Sequence, residues 1–112
     1  MIVGAIDANL EAKVALSLIH KERSLPVSFL VDSGFNGYLA VPQSVVKQLD
    51  LPLAMVQRGA TADGRVNYFD TLDVCVNWDH QPRFIRAQVL DEPLIGTRMF
   101  SGYDMQVRSQ VA

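Results

Sequence analysis

The chain has 112 residues, 49% hydrophobic and 20% charged, an ordinary globular composition that excludes a disordered tail or a collagen-like repeat. Ten Lys and Arg against twelve Asp and Glu leave a net charge of −2. The cations are scattered rather than striped, which argues against a nucleic-acid partner.

Cys75 is the single cysteine, so an internal disulfide, a CxxC redox pair and a thiolate zinc cluster are all excluded. A reducing cytoplasm is the expected compartment. Residues 1–7 lack the positive start of a signal peptide, and no apolar run approaches the roughly 20 residues that span a bilayer, so no membrane association is expected. At this length one domain over residues 1–112 is expected.

Short Val/Ile/Leu runs separated by polar or Gly/Pro clusters have the periodicity of strands, and they predict an all-β fold with little helix. Residues 2–8 and 13–19 flank the polar turn Asn9-Leu10-Glu11 and read as a hairpin, with Val14, Leu16 and Leu18 alternating against Ala15, Ser17 and Ile19. A charged link over residues 20–24 follows. Pro26 then introduces Val27-Ser28-Phe29-Leu30-Val31, whose nearly continuous apolar character predicts a strand buried on both faces. That strand delivers Asp32.

Gly34 and Gly37 bracket the next loop and are read as supplying backbone freedom. Tyr38-Leu39-Ala40-Val41 reads as a short strand. Residues 42–50 read as a helix of about two turns, with Pro42 as its first residue and Val45, Val46 and Leu49 on one face.

Asp63-Gly64 suits a tight type I′ turn between residues 55–58 and 66–69, and residues 79–82 separate a further strand pair, 72–78 and 84–90. Leu94-Ile95-Gly96 precedes Thr97-Arg98-Met99-Phe100, a candidate short helix, and residues 103–108 are a candidate terminal strand. His20 and His80 fall in polar linkers without a second ligand at metal spacing. Cys75, Tyr38, Trp78, Met55, Met99 and Met105 read as packing residues.

A buried strand ending in Asp32-Ser33-Gly34 fixes a carboxylate at the mouth of a rigid loop. Together with Leu94-Ile95-Gly96 downstream, it resembles the retropepsin-like aspartic peptidases, especially small bacterial members with a Val-Asp-[Ser/Thr]-Gly-Phe-x-Gly stretch. The resemblance covers nearly the whole chain. It implies a retropepsin-like half-barrel, with one short helix after the Asp-Ser-Gly loop and another short helix near the carboxyl end.

By that resemblance Asp32 is the catalytic acid, and Ser33 and Gly34 support its loop. Leu94, Ile95 and Gly96 form the ψ-shaped crossing, and Ala62, Asp63, Gly64, Arg65 and Val66 form a flap over peptide substrate. It further implies a homodimer acting on a peptide or protein, with no cofactor and no metal. The Phe35-Asn36-Gly37 stretch departs from the Ala-containing loop of the viral enzymes. The competing expectation is a module of the same fold that binds peptides or assembles without cutting, since fold alone does not decide function.

Overall fold

The computed structural model describes residues 2–60 and 64–103. Eight strands appear in chain order: β1 Ala5–Ile6, β2 Ala12–His20, β3 Arg23–Val31, β4 Leu39–Val41, β5 Met55–Ala60, β6 Val66–Trp78, β7 Gln81–Val89 and β8 Leu94–Ile95. The helix α1, Gln43–Leu49, follows β4, and a 3₁₀ turn at Thr97–Phe100 follows β8. The predicted all-β chain with two short helices is what forms. Residues 104–112, and with them most of the candidate terminal strand and Met105, lie outside the described residues.

The strands pair in the order β1-β2-β3-β8-β4-β7-β6-β5, and β2 also pairs with β6. That extra pairing, Leu18 with Val76 and Ile19 with Cys75, closes β2, β3, β8, β4, β7 and β6 into a six-stranded barrel. β1 and β5 hang on its outside.

The period-2 pattern of the strands turns one row of side chains inward. Val14, Leu16 and Leu18 of β2, Phe29 of β3, and Leu72, Val74 and Val76 of β6 meet in one core, which α1 covers with Val45, Val46 and Leu49. Burying a side chain of this size contributes about 1.5–3 kcal/mol. Pro42 stands one position outside α1 as its N-cap, and Asp50 ends it in the left-handed conformation, φ 53°. Arg23, at the start of β3, donates to the carbonyl oxygens of Gln48 and Leu49 at 3.1 and 2.9 Å, satisfying acceptors at the helix end.

Several local expectations are corrected. β3 is buried on one face only: Val27 and Phe29 point in and Ser28 is exposed. The charged link is a tight reversal in which His20 pairs with Arg23, and Lys21 adopts φ 56°, so His20 ends a strand. The two strands read at 66–69 and 72–78 are one strand of 13 residues.

The two-residue turn with both φ values positive is Asp79-His80, at 49° and 68°, between paired Trp78 and Gln81. That is the dihedral signature of a type I′ turn, here made without glycine. Trp78 and Met99 are buried as expected, whereas Met55 is 53% exposed.

Candidate active site

Asp32 follows β3 directly, and its place is fixed from the side by β8. β8 runs parallel to β3, pairing Leu94 with Leu30 and Ile95 with Val31, and antiparallel to β4, pairing Ile95 with Leu39 and Leu94 with Ala40. The two-residue strand is therefore wedged between the strands that enter and leave the Asp32 loop. Leu94 and Ile95, the first two residues of the Leu94-Ile95-Gly96 stretch, thus pair with both flanks of that loop.

Hydrogen bonds pin the loop around its base. The amide of Asp32 donates to Ile95 O at 3.1 Å, that of Gly96 to Tyr38 O at 2.9 Å, and that of Thr97 to Phe35 O at 2.9 Å. Within the loop, Gly34 N–H donates to Asp32 Oδ1 at 2.9 Å and Phe35 N–H to Asp32 O at 3.1 Å. The carboxylate thus accepts from its own turn, as Asp side chains favour, and its orientation is set before any ligand arrives. Asp32 is half-buried, while Ser33 and Gly34 are exposed at the tip.

The glycines here supply space rather than unusual dihedrals. A Cβ on Gly96 would collide with the carbonyl oxygens of Gly37 and Phe35, and one on Gly37 would lie 2.6 Å from Phe35 Cζ. Positive φ among the glycines occurs at Gly64 and Gly102. The expectation that Gly34 and Gly37 serve backbone freedom is corrected accordingly.

β5 and β6 form the hairpin expected as a flap, in register from Met55 with Thr71 to Ala60 with Val66. The tight turn read at Asp63-Gly64 falls partly outside the described residues. Ala62 and Asp63 lie outside the described residues. Gly64 has φ +82°, Arg65 follows it, and Val66 opens β6 at 43% exposure. Val56 and Tyr68 are also solvent-exposed. Phe69 packs its ring against Gly59, where a Cβ would sit 2.7 Å from Phe69 Cε1.

Beneath this hairpin runs an open groove of about 750 Å³, bounded on its far side by the β7–β8 connection. It reaches Leu94, the neighbour of the residue whose carbonyl holds Asp32, and stops short of Asp32 itself.

Two arginines that sequence reading passed over brace the loop from behind. Arg98 Nε donates to Asn36 O at 3.3 Å, and its guanidinium lies 5.7 Å from the centre of the Tyr38 ring. Arg83 reaches from β7 to donate to Met99 O at 3.0 Å and lies 5.5 Å from the same ring. Neither stands in a local motif, and their partners lie on elements remote in sequence, so no pattern signals them. Among the described residues no group of three or more His, Cys, Asp or Glu is placed to hold a metal, and no helix is long and apolar enough to cross a membrane.

No family model matches the chain, and no curated protein matches it. Among solved structures it is similar to a retropepsin-like aspartic protease from Rickettsia conorii, with a TM-score of 0.69 and 16% identity over 96% of this chain and 92% of that one. It is also similar to EIAV protease complexed with the inhibitor HBY-793, with a TM-score of 0.63 and 10% identity over 92% of this chain and 99% of the other. The fold is retropepsin-like. The expectation drawn from Asp32-Ser33-Gly34 and Leu94-Ile95-Gly96 is met at the level of the fold.

Proposed function

We propose that the chain is an aspartic endopeptidase that works as a homodimer, with Asp32 of each copy forming the catalytic pair. The observation that carries this reading is the placement of Asp32 at the end of β3, its amide held by Ile95 of the inserted strand, within a retropepsin-like barrel.

Hydrolysis without a metal or a nucleophilic side chain needs two acids in different protonation states. One carboxylate takes a proton from water as the oxygen attacks the scissile carbonyl carbon. The other, protonated, donates to the carbonyl oxygen. The tetrahedral species then collapses as the scissile nitrogen receives a proton and leaves. One chain brings one such aspartate loop, and a two-fold axis supplies the second copy because an isologous contact juxtaposes identical residues.

Two carboxylates about 3 Å apart cannot both ionise, so the pair shares a proton; aspartic peptidases are the standing illustration of this effect. Ser33 and Gly34, exposed at the loop tip, hold the partner loop and allow its approach. Leu94, Ile95 and Gly96 position the loop from behind, and residues Ala62 to Val66 close over the substrate.

Digestion of a mixed peptide library from acid to neutral pH, with and without a statine inhibitor, tests the reading. Cleavage is expected, blocked by statine and absent in an Asp32→Asn dimer of unchanged fold. Cleavage that persists in Asp32→Asn, or a wild-type dimer that binds peptides and cuts none, overturns it; the latter result favours a binding module.

A further inference from the structure

We infer that the groove beneath the β5–β6 hairpin selects substrate segments carrying a basic side chain, an assignment that rests on the peptidase reading for its place in function but not for its test. The groove has a volume of about 750 Å³, and its lining combines Val56, Tyr68 and Leu94 with three carboxylates, Asp70, Asp91 and Glu92. Among the described residues no Lys, Arg or His contributes to that lining. Asp70 comes from the hairpin, and Asp91 and Glu92 come from the β7–β8 connection, so acids stand on two separate walls of one concavity.

Lys13 interacts electrostatically with Glu92, but its ammonium is held by Asp7 at 3.0 Å. Arg58 pairs with Tyr68 across the hairpin and Val56 pairs with Asp70, which puts Arg58 diagonal to Asp70 on one face.

Apolar walls with carboxylates among them match a side chain built as an aliphatic stem with a cationic head. The stem of Lys or Arg covers apolar surface while the head meets the carboxylate in a charge-assisted hydrogen bond. An acidic side chain in the same place meets like charge, so the groove discriminates by repulsion as well as attraction. Because Asp91 and Glu92 are exposed, the preference must weaken as salt rises.

The test measures binding apart from cleavage. Full-chain Asp32→Asn protein is titrated with fluorescein-labelled peptides that are identical except for lysine, norleucine or glutamate at one position, and that position is moved along the peptide. At one or two positions lysine is expected to bind about three- to tenfold tighter than norleucine, and glutamate more weakly than either.

The lysine advantage should shrink in high salt and vanish in the combined Asp70→Asn, Asp91→Asn, Glu92→Gln variant. Equal affinity for lysine and norleucine at every position, an advantage that survives in that variant, or no peptide binding at all overturns the assignment. Lysine-selective binding by a wild-type protein that cuts nothing overturns the hydrolase reading and leaves the groove assignment standing. Cleavage without charge preference does the reverse.

Discussion

The amide of Asp32 donates to the carbonyl oxygen of Ile95 at 3.1 Å, so the proposed acid is located by a strand from the far end of the chain as much as by its own. Ile95 is fully buried and paired on both sides, to Val31 and to Leu39. Displacement of β8 therefore moves the carboxylate.

Gly96→Ala tests that coupling. The added methyl has the Gly37 and Phe35 carbonyl oxygens in its way, and backbone atoms cannot swing aside as a side-chain tip can. The variant should lose about 3 kcal/mol, seen as a lower urea midpoint at unchanged slope. A loss below about 0.5 kcal/mol contradicts the described packing.

Arg23→Ala removes the two donors that satisfy Gln48 O and Leu49 O at the end of α1. Both carbonyls can turn to water and the arginine is exposed, so the cost should be about 1 kcal/mol, or roughly 4 °C in melting temperature. Hydrogen exchange should quicken at the Asp50 and Leu51 amides, which close the helix onto Lys47 O and Val46 O.

The β1–β2 turn should be acid-sensitive. Asp7 is held below its ordinary value of 3.8, first by the Glu11 amide and next by the Lys13 ammonium. A depressed carboxylate stabilises the fold above its unfolded pKa, and that contribution is lost as pH falls through the lower folded value. Exchange at the Asn9 and Glu11 amides, both donors to Asp7 Oδ1, should therefore accelerate as pH drops below about 4, beyond its intrinsic pH dependence. Asp7→Asn should abolish that step. Lys13 is raised above its ordinary 10.5, first by its hydrogen bond to Asp7; its contribution is present below that pH and lost as alkali carries it through the folded value.

His80→Gly should stabilise the protein. His80 sits at φ 68° in the β6–β7 turn, a region costly for residues with a Cβ and open to glycine. A gain of about 0.5–1 kcal/mol is expected after glycine's own entropy cost, read from the urea midpoint. A loss of stability would mean that the imidazole contributes more there than the backbone strain takes away.

What the sequence made legible, and what it hid, divides by range. The alternation of Val14, Leu16 and Leu18, the apolar face of α1 and the apolar strand ending at Asp32 are local patterns, and each maps onto the element expected of it. The β2–β6 pairing and the wedging of β8 between β3 and β4 depend on partners far apart in the chain; strand register is written in cross-strand contacts that a linear reading does not contain.

β3 looked two-sided because Leu30 and Val31 are apolar, yet both are only half-buried, at the end where β8 joins. The type I′ turn at Asp79-His80 has no glycine to announce it. At the site, Asp32 announced itself through its motif. Arg83 and Arg98 did not, because what marks them is proximity to Tyr38.

The central claim is that two chains each supply one acid, and subunit mixing tests it most directly. Wild-type protein is allowed to exchange freely with Asp32→Asn protein, and hydrolysis of a fluorogenic peptide is followed at fixed wild-type amount. If each competent site needs Asp32 from both copies, an equal amount of the variant should halve the activity, and a ninefold excess should reduce it to about a tenth, by random pairing across a two-fold interface. Activity that stays constant as the variant is added, with mixed dimers verified, would contradict the account.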